Sequence, residues 1–336
     1  MTLKILEANL MKQNNQYNTL PLIKRHRKNP ILTAEQVPYQ ATLLFNPGVA
    51  KYKDGYVMVF RNDYGEFDGE IFAGTNLGLA FSENGIDWEV MPDPCFSLKN
   101  DEITRIYDPR ITHIDDLFYL SFAVDTLHGI RGGIAVTEDF KNFEVLSMSV
   151  PDNRNMVLFP EKINNKYVRL ERPFPVYGKK EKEAFDIWIS ESPDMVHWGN
   201  SSLLLGSDEV PYCNSKIGPA APPIKTEKGW VTTFHLVDYD SSRGKNGWED
   251  NWKKRYNVGL MLLDLEDPSK IISILDKPLM VPEVDYEIKN GFRNNVIFPC
   301  GMILEENGEV KIYYGAADTV IALATADLND LLELLI

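Results

Sequence analysis

The 336-residue chain is poor in the residues that build metal sites and disulfide frameworks. Its three cysteines, Cys95, Cys213 and Cys300, are far apart and never approach a C-x-x-C spacing, which excludes a disulfide scaffold or a zinc knuckle and favours a reducing compartment such as the cytoplasm. The five histidines, His26, His113, His128, His197 and His235, never fall at the spacing of a catalytic metal, so neither a metal nor a resident cofactor is expected. No basic start followed by an apolar stretch opens the chain, and no apolar run reaches about 18 residues, so no membrane partner is expected. A G-x-x-x-x-G-K-[ST] loop is also missing, which removes nucleoside triphosphate chemistry of that type. Cations are in the minority, 35 Lys and Arg against 49 Asp and Glu for a net charge of -14, which argues against nucleic acid. An anion bound here has to be held by a local cluster of cations working against the global field.

Aromatic residues make up 11% of the chain and are accompanied by 20 prolines and 22 glycines, which points to many short strands and turns. From Phe45 onward one unit recurs: a short strand, a turn built from Asp, Asn or Gly, an aromatic-rich alternating strand, a loop, and a third strand of small residues. The first copy runs Asn46–Tyr52, turns at Asp54-Gly55 and returns over Tyr56–Arg61. First strands are then expected over 108–114, 158–163, 217–224 and 295–304, with inner turns near residues 115, 164, 227 and 307. Antiparallel units of this size repeated five times predict an all-β, five-bladed β-propeller spanning residues 41–336 as one domain. Residues 1–40 form an N-terminal extension. Its basic run Lys24–Lys28 reads as a solvated entry segment. The last copy ends in Asp327–Leu332, more helical than β, so a strand from the extension, around Pro30-Ile31-Leu32-Thr33, is expected to close the ring. Trp88, Phe143 and Trp198 recur after the third strands and are assigned to packing between blades.

In a propeller the first strands line the axis, so equivalent repeat positions converge there. First-strand starts bring Asn46, Asp108, Glu161, Lys216 and Asn295, and second-strand ends bring Arg61, Asp125, Arg172, His235 and Asp318. Carboxylates and cations at one channel mouth suit a small polyol-like substrate together with an anion. Arg154, Arg172 and Lys216, with His235 and Tyr256 as hydrogen-bond donors, suit inorganic phosphate, because guanidinium forks match its oxygens. Asp108, held between Tyr107 and Pro109, reads as the working acid, although Asp-Pro alone is equally a turn signal. Glu161 reads either as a second sugar contact or base, or as half of a structural Glu-Lys pair.

Several motifs together resemble glycoside hydrolase family 130, the inverting β-mannoside phosphorylases and related enzymes: Asn46-Pro47-Gly48, Phe60-Arg61-Asn62-Asp63-Tyr64-Gly65, Tyr107-Asp108-Pro109-Arg110, Leu158-Phe159-Pro160-Glu161-Lys162, Lys216-Ile217-Gly218 and Tyr313-Tyr314-Gly315-Ala316-Ala317-Asp318. The resemblance covers Phe45 to Leu332 and implies a five-bladed propeller. It also implies that Asp108 is the proton donor, that Arg154, Arg172, Lys216, His235 and Tyr256 grip phosphate, and that Asn46, Arg61 and Asp318 contact the mannosyl unit. The insertion 239–255 with Arg243, Trp248 and Trp252, together with Asp63, Tyr64 and the loop 125–131, resembles the branch acting on β-1,4-mannosyl-glucose. Asp63 is accordingly a substrate-binding candidate.

An inverting hydrolase needs an acid and a base about 6.5 to 9.5 Å apart. A phosphorylase omits the base, because phosphate carries its own charge and cations position it for in-line attack. The resemblance implies a proton relayed through the sugar's 3-hydroxyl. The expected reaction is phosphorolysis of mannosyl-glucose to α-mannose 1-phosphate and glucose. Alternatives are phosphorolysis of mannooligosaccharides or mannosyl-N-acetylglucosamine, phosphate-independent hydrolysis, or a non-catalytic sugar-binding propeller. The partners are then a small oligosaccharide and phosphate as co-substrate, with a homo-oligomer left open.

Overall fold

The computed structural model describes residues 17–69, 71–174 and 184–336, so the first part of the N-terminal extension lies outside the described residues. Five antiparallel sheets are arranged as a β-propeller, each beginning with its innermost strand. Blade one contains Leu43–Tyr52, Gly55–Phe67, Phe72–Ser82 and Glu89–Val90. Blade two contains Ile103–Ile114, Leu117–Thr126, Gly129–Thr137 and Glu144–Met148, and blade three Asn153–Leu158, Tyr167–Pro173, Ile187–Ser192 and Gly199–Leu205. Blade four is built on Gly229–Tyr239, Lys254–Leu263 and Ile271–Ile274, blade five on Ile297–Leu304, Glu309–Ala316 and Val320–Asp327. Neighbouring blades bury Val, Ile, Leu and aromatic faces against each other; Trp88 meets Tyr313 edge-on between blades one and five, with ring centroids 6.0 Å apart.

The outermost strand of blade five comes from the other end of the chain. Lys24 and Arg25 pair antiparallel with Thr325 and Ala324. The strand therefore forms on polar residues, whereas Leu32 makes only an isolated bridge to Ile321. An outer strand needs no second apolar face, and Pro30 has no N–H to give to a ladder, which explains why the apolar Ile31-Leu32 is not the strand. The basic run is correspondingly not a solvated segment throughout: the Arg25 guanidinium donates to both oxygens of fully buried Glu287 at 2.7 and 2.9 Å and reaches Glu283 at 3.2 Å. Blade five then ends in a short helix, Leu328–Glu333, whose first N–H groups are capped by Asp327.

Two innermost strands differ from the repeat reading. In blade three the strand is Asn153–Leu158, five residues before the expected one, because Pro160 interrupts the ladder and residues 159–166 form the connection. Glu161 is consequently carried to the surface, where it accepts a hydrogen bond from Lys225 Nζ at 2.6 Å. In blade four the strand is split into Ile217–Pro219 and Ile224–Thr226 around Pro222-Pro223.

Candidate active site

Asp108 does not begin its strand, as the repeat register suggested, but sits within it. Tyr107 pairs with Ala123 and Arg110 with Ser121, so Asp108 and Pro109 together stand opposite Phe122 in a β-bulge. Asp108 has φ 54°, Asn46 φ 51° and Asn155 φ 57°, with register shifts at the same places in blades one and three. Asn and Asp tolerate this left-handed backbone better than other side-chain-bearing residues. The bulges turn these three polar side chains, rather than alternating apolar ones, towards the axial cavity. Asn46 Nδ2 donates to Asp108 Oδ1 at 2.8 Å. Gly315 leaves room for this contact, since a Cβ there would lie 2.3 Å from Asn46 Oδ1.

The cavity is lined on one side by Asn46, Arg61, Asp108 and Asp318, on the other by Arg154, Asn155, Arg172 and Tyr256, with Trp252, Arg293, Val296 and Phe298 completing it. A larger hollow at the outer edge between blades three and four is lined by groups such as Asn164, Glu191 and Ser269, and lacks a comparable set of buried cations. Three of the ten candidate site residues stand behind the wall. Asp63, 1% exposed, takes Arg61 in a bidentate pair at 2.7 and 2.7 Å and also accepts from Arg105 at 3.0 Å. It therefore orients Arg61, whose guanidinium lies between the rings of Phe45 and Tyr107. Lys216 and His235 are buried beneath the arginines. Asn155, Arg293, Val296 and Phe298 line the cavity and escaped the sequence reading. For Asn155 a signal existed, the Asn at the same bulge position as Asn46, hidden by the misplaced strand of blade three.

At the cationic end, Arg154 and Arg172 face each other across adjacent strands. Arg172 is 1% exposed and donates through Nη1 to His235 Nε2 at 2.9 Å. His235 thus accepts on Nε2 and carries its proton on Nδ1, a tautomer assigned from the donor it faces. Burial and the neighbouring charges of Arg172, Arg110, Lys216 and Arg154 push its pKa well below the usual histidine range, so it is neutral. Arg172 Nε and Nη2 and Arg154 Nε are buried and have no hydrogen-bond partner among the described residues. Burial, reinforced by Arg154, pulls the Arg172 pKa down to about 9. Two desolvated cations side by side with spare donors form a site complementary to a tetrahedral oxyanion.

The two carboxyls of the cavity are set apart by their surroundings. Burial pushes Asp108 up, but Arg61, Arg110, the Asn46 hydrogen bond and Arg154 together outweigh it and hold the carboxyl below the usual range. Among the described residues Asp318 accepts from Arg293, at 3.4 Å, and burial with the nearby Asp108 charge pushes it up to about 6 despite Arg293 and Arg61. The insertion contributes Trp252, stacked on Tyr256 with centroids 5.8 Å apart, while Arg243 donates to Asp238 at the end of the preceding strand and to the Lys253 carbonyl, and Trp248 joins Phe67, Phe72 and Phe292. Asp125 accepts from Tyr107 Oη at 2.6 Å, and Asn295 donates to Asn246.

A family model described as glycoside hydrolase family 130, β-1,4-mannooligosaccharide phosphorylase, matches residues 13–336. A β-1,4-mannooligosaccharide phosphorylase of Ruminococcus albus is 32% identical, covering 97% of this chain and 94% of its own. A β-1,2-mannobiose phosphorylase of Listeria innocua is 36% identical over 68% of this chain, the match spanning 59% of that protein. A 4-O-β-D-mannosyl-D-glucose phosphorylase of Bacteroides fragilis is 29% identical, covering 91% of this chain and 77% of its own. Among solved structures, a β-1,2-mannobiose phosphorylase from Listeria innocua in complex with β-1,2-mannobiose superposes with a TM-score of 0.78 at 28% identity, covering 93% of this chain and 99% of that one.

Proposed function

The chain belongs to glycoside hydrolase family 130, and from that premise we propose that it is an inverting β-mannoside phosphorylase acting on β-1,4-linked substrates. The observation that carries this reading is the pair of buried guanidinium groups of Arg154 and Arg172, with spare donors at the cavity, opposite Asp108. Phosphate lies against Arg154, Arg172 and Tyr256, with Lys216 and neutral His235 behind them. One of its oxygens attacks the anomeric carbon from the face opposite the leaving oxygen, so a β-mannoside gives α-mannose 1-phosphate. Asp108 supplies the proton to the leaving oxygen, through the sugar's 3-hydroxyl as the sequence resemblance implies. The attacking hydrogen phosphate releases one proton as its new bond forms, so the overall proton count closes without a second carboxylate base.

The charge distribution supports this order of events. In the free protein Asp108 is held ionised, partly by Arg154. A phosphate dianion against Arg154 and Arg172 offsets that field and raises the Asp108 pKa, preparing the acid only when the nucleophile is in place. Asn46 and Arg61 touch both Asp108 and the cavity, and with Asp318 they hold the mannosyl unit.

Two leaving sugars are in play. The insertion 239–255, with Trp252 on the cavity wall, supports glucose through its sequence resemblance. The Ruminococcus relative, matched over nearly all of both chains, supports a β-1,4-mannooligosaccharide. Incubation with 4-O-β-mannosyl-glucose, β-1,4-mannobiose and β-1,4-mannotriose, each with and without phosphate, distinguishes them. Mannose 1-phosphate is expected in the phosphate arm; release of free mannose at equal rate without phosphate overturns the phosphorylase reading.

A further inference from the structure

Arg154 and Arg172 are anchored in an unusual way for buried guanidinium groups. Arg61, in the same cavity, has its edge occupied by the Asp63 carboxylate. Neither Arg154 nor Arg172 has a carboxylate within ion-pair distance among the described residues; each faces aromatic rings instead. Phe174 and Phe185 are stacked, with centroids 4.6 Å apart and ring planes within 2° of parallel. The Arg154 guanidinium sits 5.4 Å from the Phe174 centroid, and that of Arg172 sits 5.7 Å from Phe174 and 5.4 Å from Phe185. Lys216 Nζ is 5.6 Å from Phe185. Both phenylalanines are pinned by their backbones: Phe174 N donates to Asp152 O at 3.0 Å, and Ile217 N, next to Lys216, donates to Phe185 O at 3.0 Å.

The electron-rich face of a phenyl ring attracts a cation within about 6 Å and offers its N–H groups no lone pair, at most a weak N–H···π contact. A carboxylate in the same place would neutralise the arginines and occupy the donors an anion requires. We infer that Phe174 and Phe185 form an aromatic clamp that holds Arg154, Arg172 and Lys216 in position while leaving guanidinium donors available to the phosphate co-substrate. They are positioning residues and do not touch the sugar. The inference rests on the phosphorylase reading, and it goes further by naming what sets phosphate affinity: ring quadrupoles behind the cations.

The test separates quadrupole from bulk. Replacing Phe185 by pentafluorophenylalanine keeps its shape and reverses the charge on its face, while Phe185→Tyr keeps the favourable face. The wild type is first shown to depend on phosphate; absence of that dependence overturns the phosphorylase reading and this inference with it. With dependence established, the fluorinated variant is expected to raise the KM for phosphate by about 5- to 30-fold with the KM for the mannoside unchanged. Phe185→Tyr should stay close to wild type, and Phe174→Leu should again weaken phosphate selectively. A phosphate KM unchanged by fluorination, or both KM values rising together, overturns the clamp.

Discussion

Replacing Arg172 by Met should make the protein more stable and less able to use phosphate. Desolvation and the adjacent Arg154 pull the Arg172 pKa from the ordinary arginine range down to about 9, which corresponds to about 5 kcal/mol against keeping this side chain charged in the fold. Because the folded value is the lower one, that penalty is complete at neutral pH and fades only as the pH rises from about 9 towards the ordinary arginine range. Against the relief stands the hydrogen bond to His235, whose loss costs about 2 kcal/mol when the acceptor stays buried. The contacts with Phe174 and Phe185 are lost as well, at about 1 to 2 kcal/mol, so the net gain is about 1 to 2 kcal/mol, or an apparent Tm about 2 to 4 °C higher at roughly 2 °C per kcal/mol for a chain of this size. The phosphate side moves the other way. Nε and Nη2 are two buried donors without partners, and charge-assisted bonds of about 1.5 to 3 kcal/mol each imply a phosphate KM about 10² to 10⁴ higher. Thermal unfolding of both proteins, with and without phosphate, is the assay. A ligand that binds only the folded state raises the wild-type Tm with concentration, and the variant should start higher and respond little. A variant that melts lower than wild type in phosphate-free buffer, or that retains the full phosphate response, refutes the reasoning.

Asp108→Asn removes the only proton the site delivers to the leaving oxygen, so turnover should fall by about 10³-fold or more with the circular dichroism spectrum unchanged; near-normal activity would show that another group is the acid. Asp318 has its folded pKa raised to about 6, so its charged form is disfavoured above that pH and the penalty vanishes below the unfolded carboxylate value. Asp318→Asn should therefore raise the Tm at pH 8 and give no such gain near pH 4, and a stability difference independent of pH would contradict the burial argument. Arg25→Ala leaves Glu287 buried without its cation at the ring closure, and urea unfolding should show a loss of about 3 to 5 kcal/mol; a change within error would mean that the seam is held elsewhere.

The propeller was legible because its period is local. Each blade repeats alternation and an Asp, Asn or Gly turn within about 50 to 80 residues, and those signals do not depend on distant partners. Blade three was misplaced because its inner strand opens on the polar Asn153-Arg154-Asn155, which looks like a loop until the cavity it faces is known. The strand that completes blade five, Lys24-Arg25, carries no strand signal of its own. Within the site, Arg61 and Asp318 follow from their repeat positions, whereas Asp108 reaches the cavity through a bulge in mid-strand that the register does not report. Arg293 belongs to the approach to blade five, and its place beside Asp318 comes from a backbone hydrogen bond, Arg293 N–H to the Ala317 carbonyl at 3.0 Å, that no repeat position announces. The retreat of Asp63 behind Arg61 is a matter of side-chain direction, and no pattern in the sequence reports it.

The central claim is that phosphate, directed by Arg154 and Arg172, is the nucleophile at a β-mannoside. Proton and phosphorus NMR of a reaction started with a β-1,4-mannoside and phosphate follows this directly. α-Mannose 1-phosphate is expected as the first mannosyl product, with no signal from free mannose at early times. Accumulation of free mannose at a rate indifferent to phosphate, or of the β-phosphate, would contradict it.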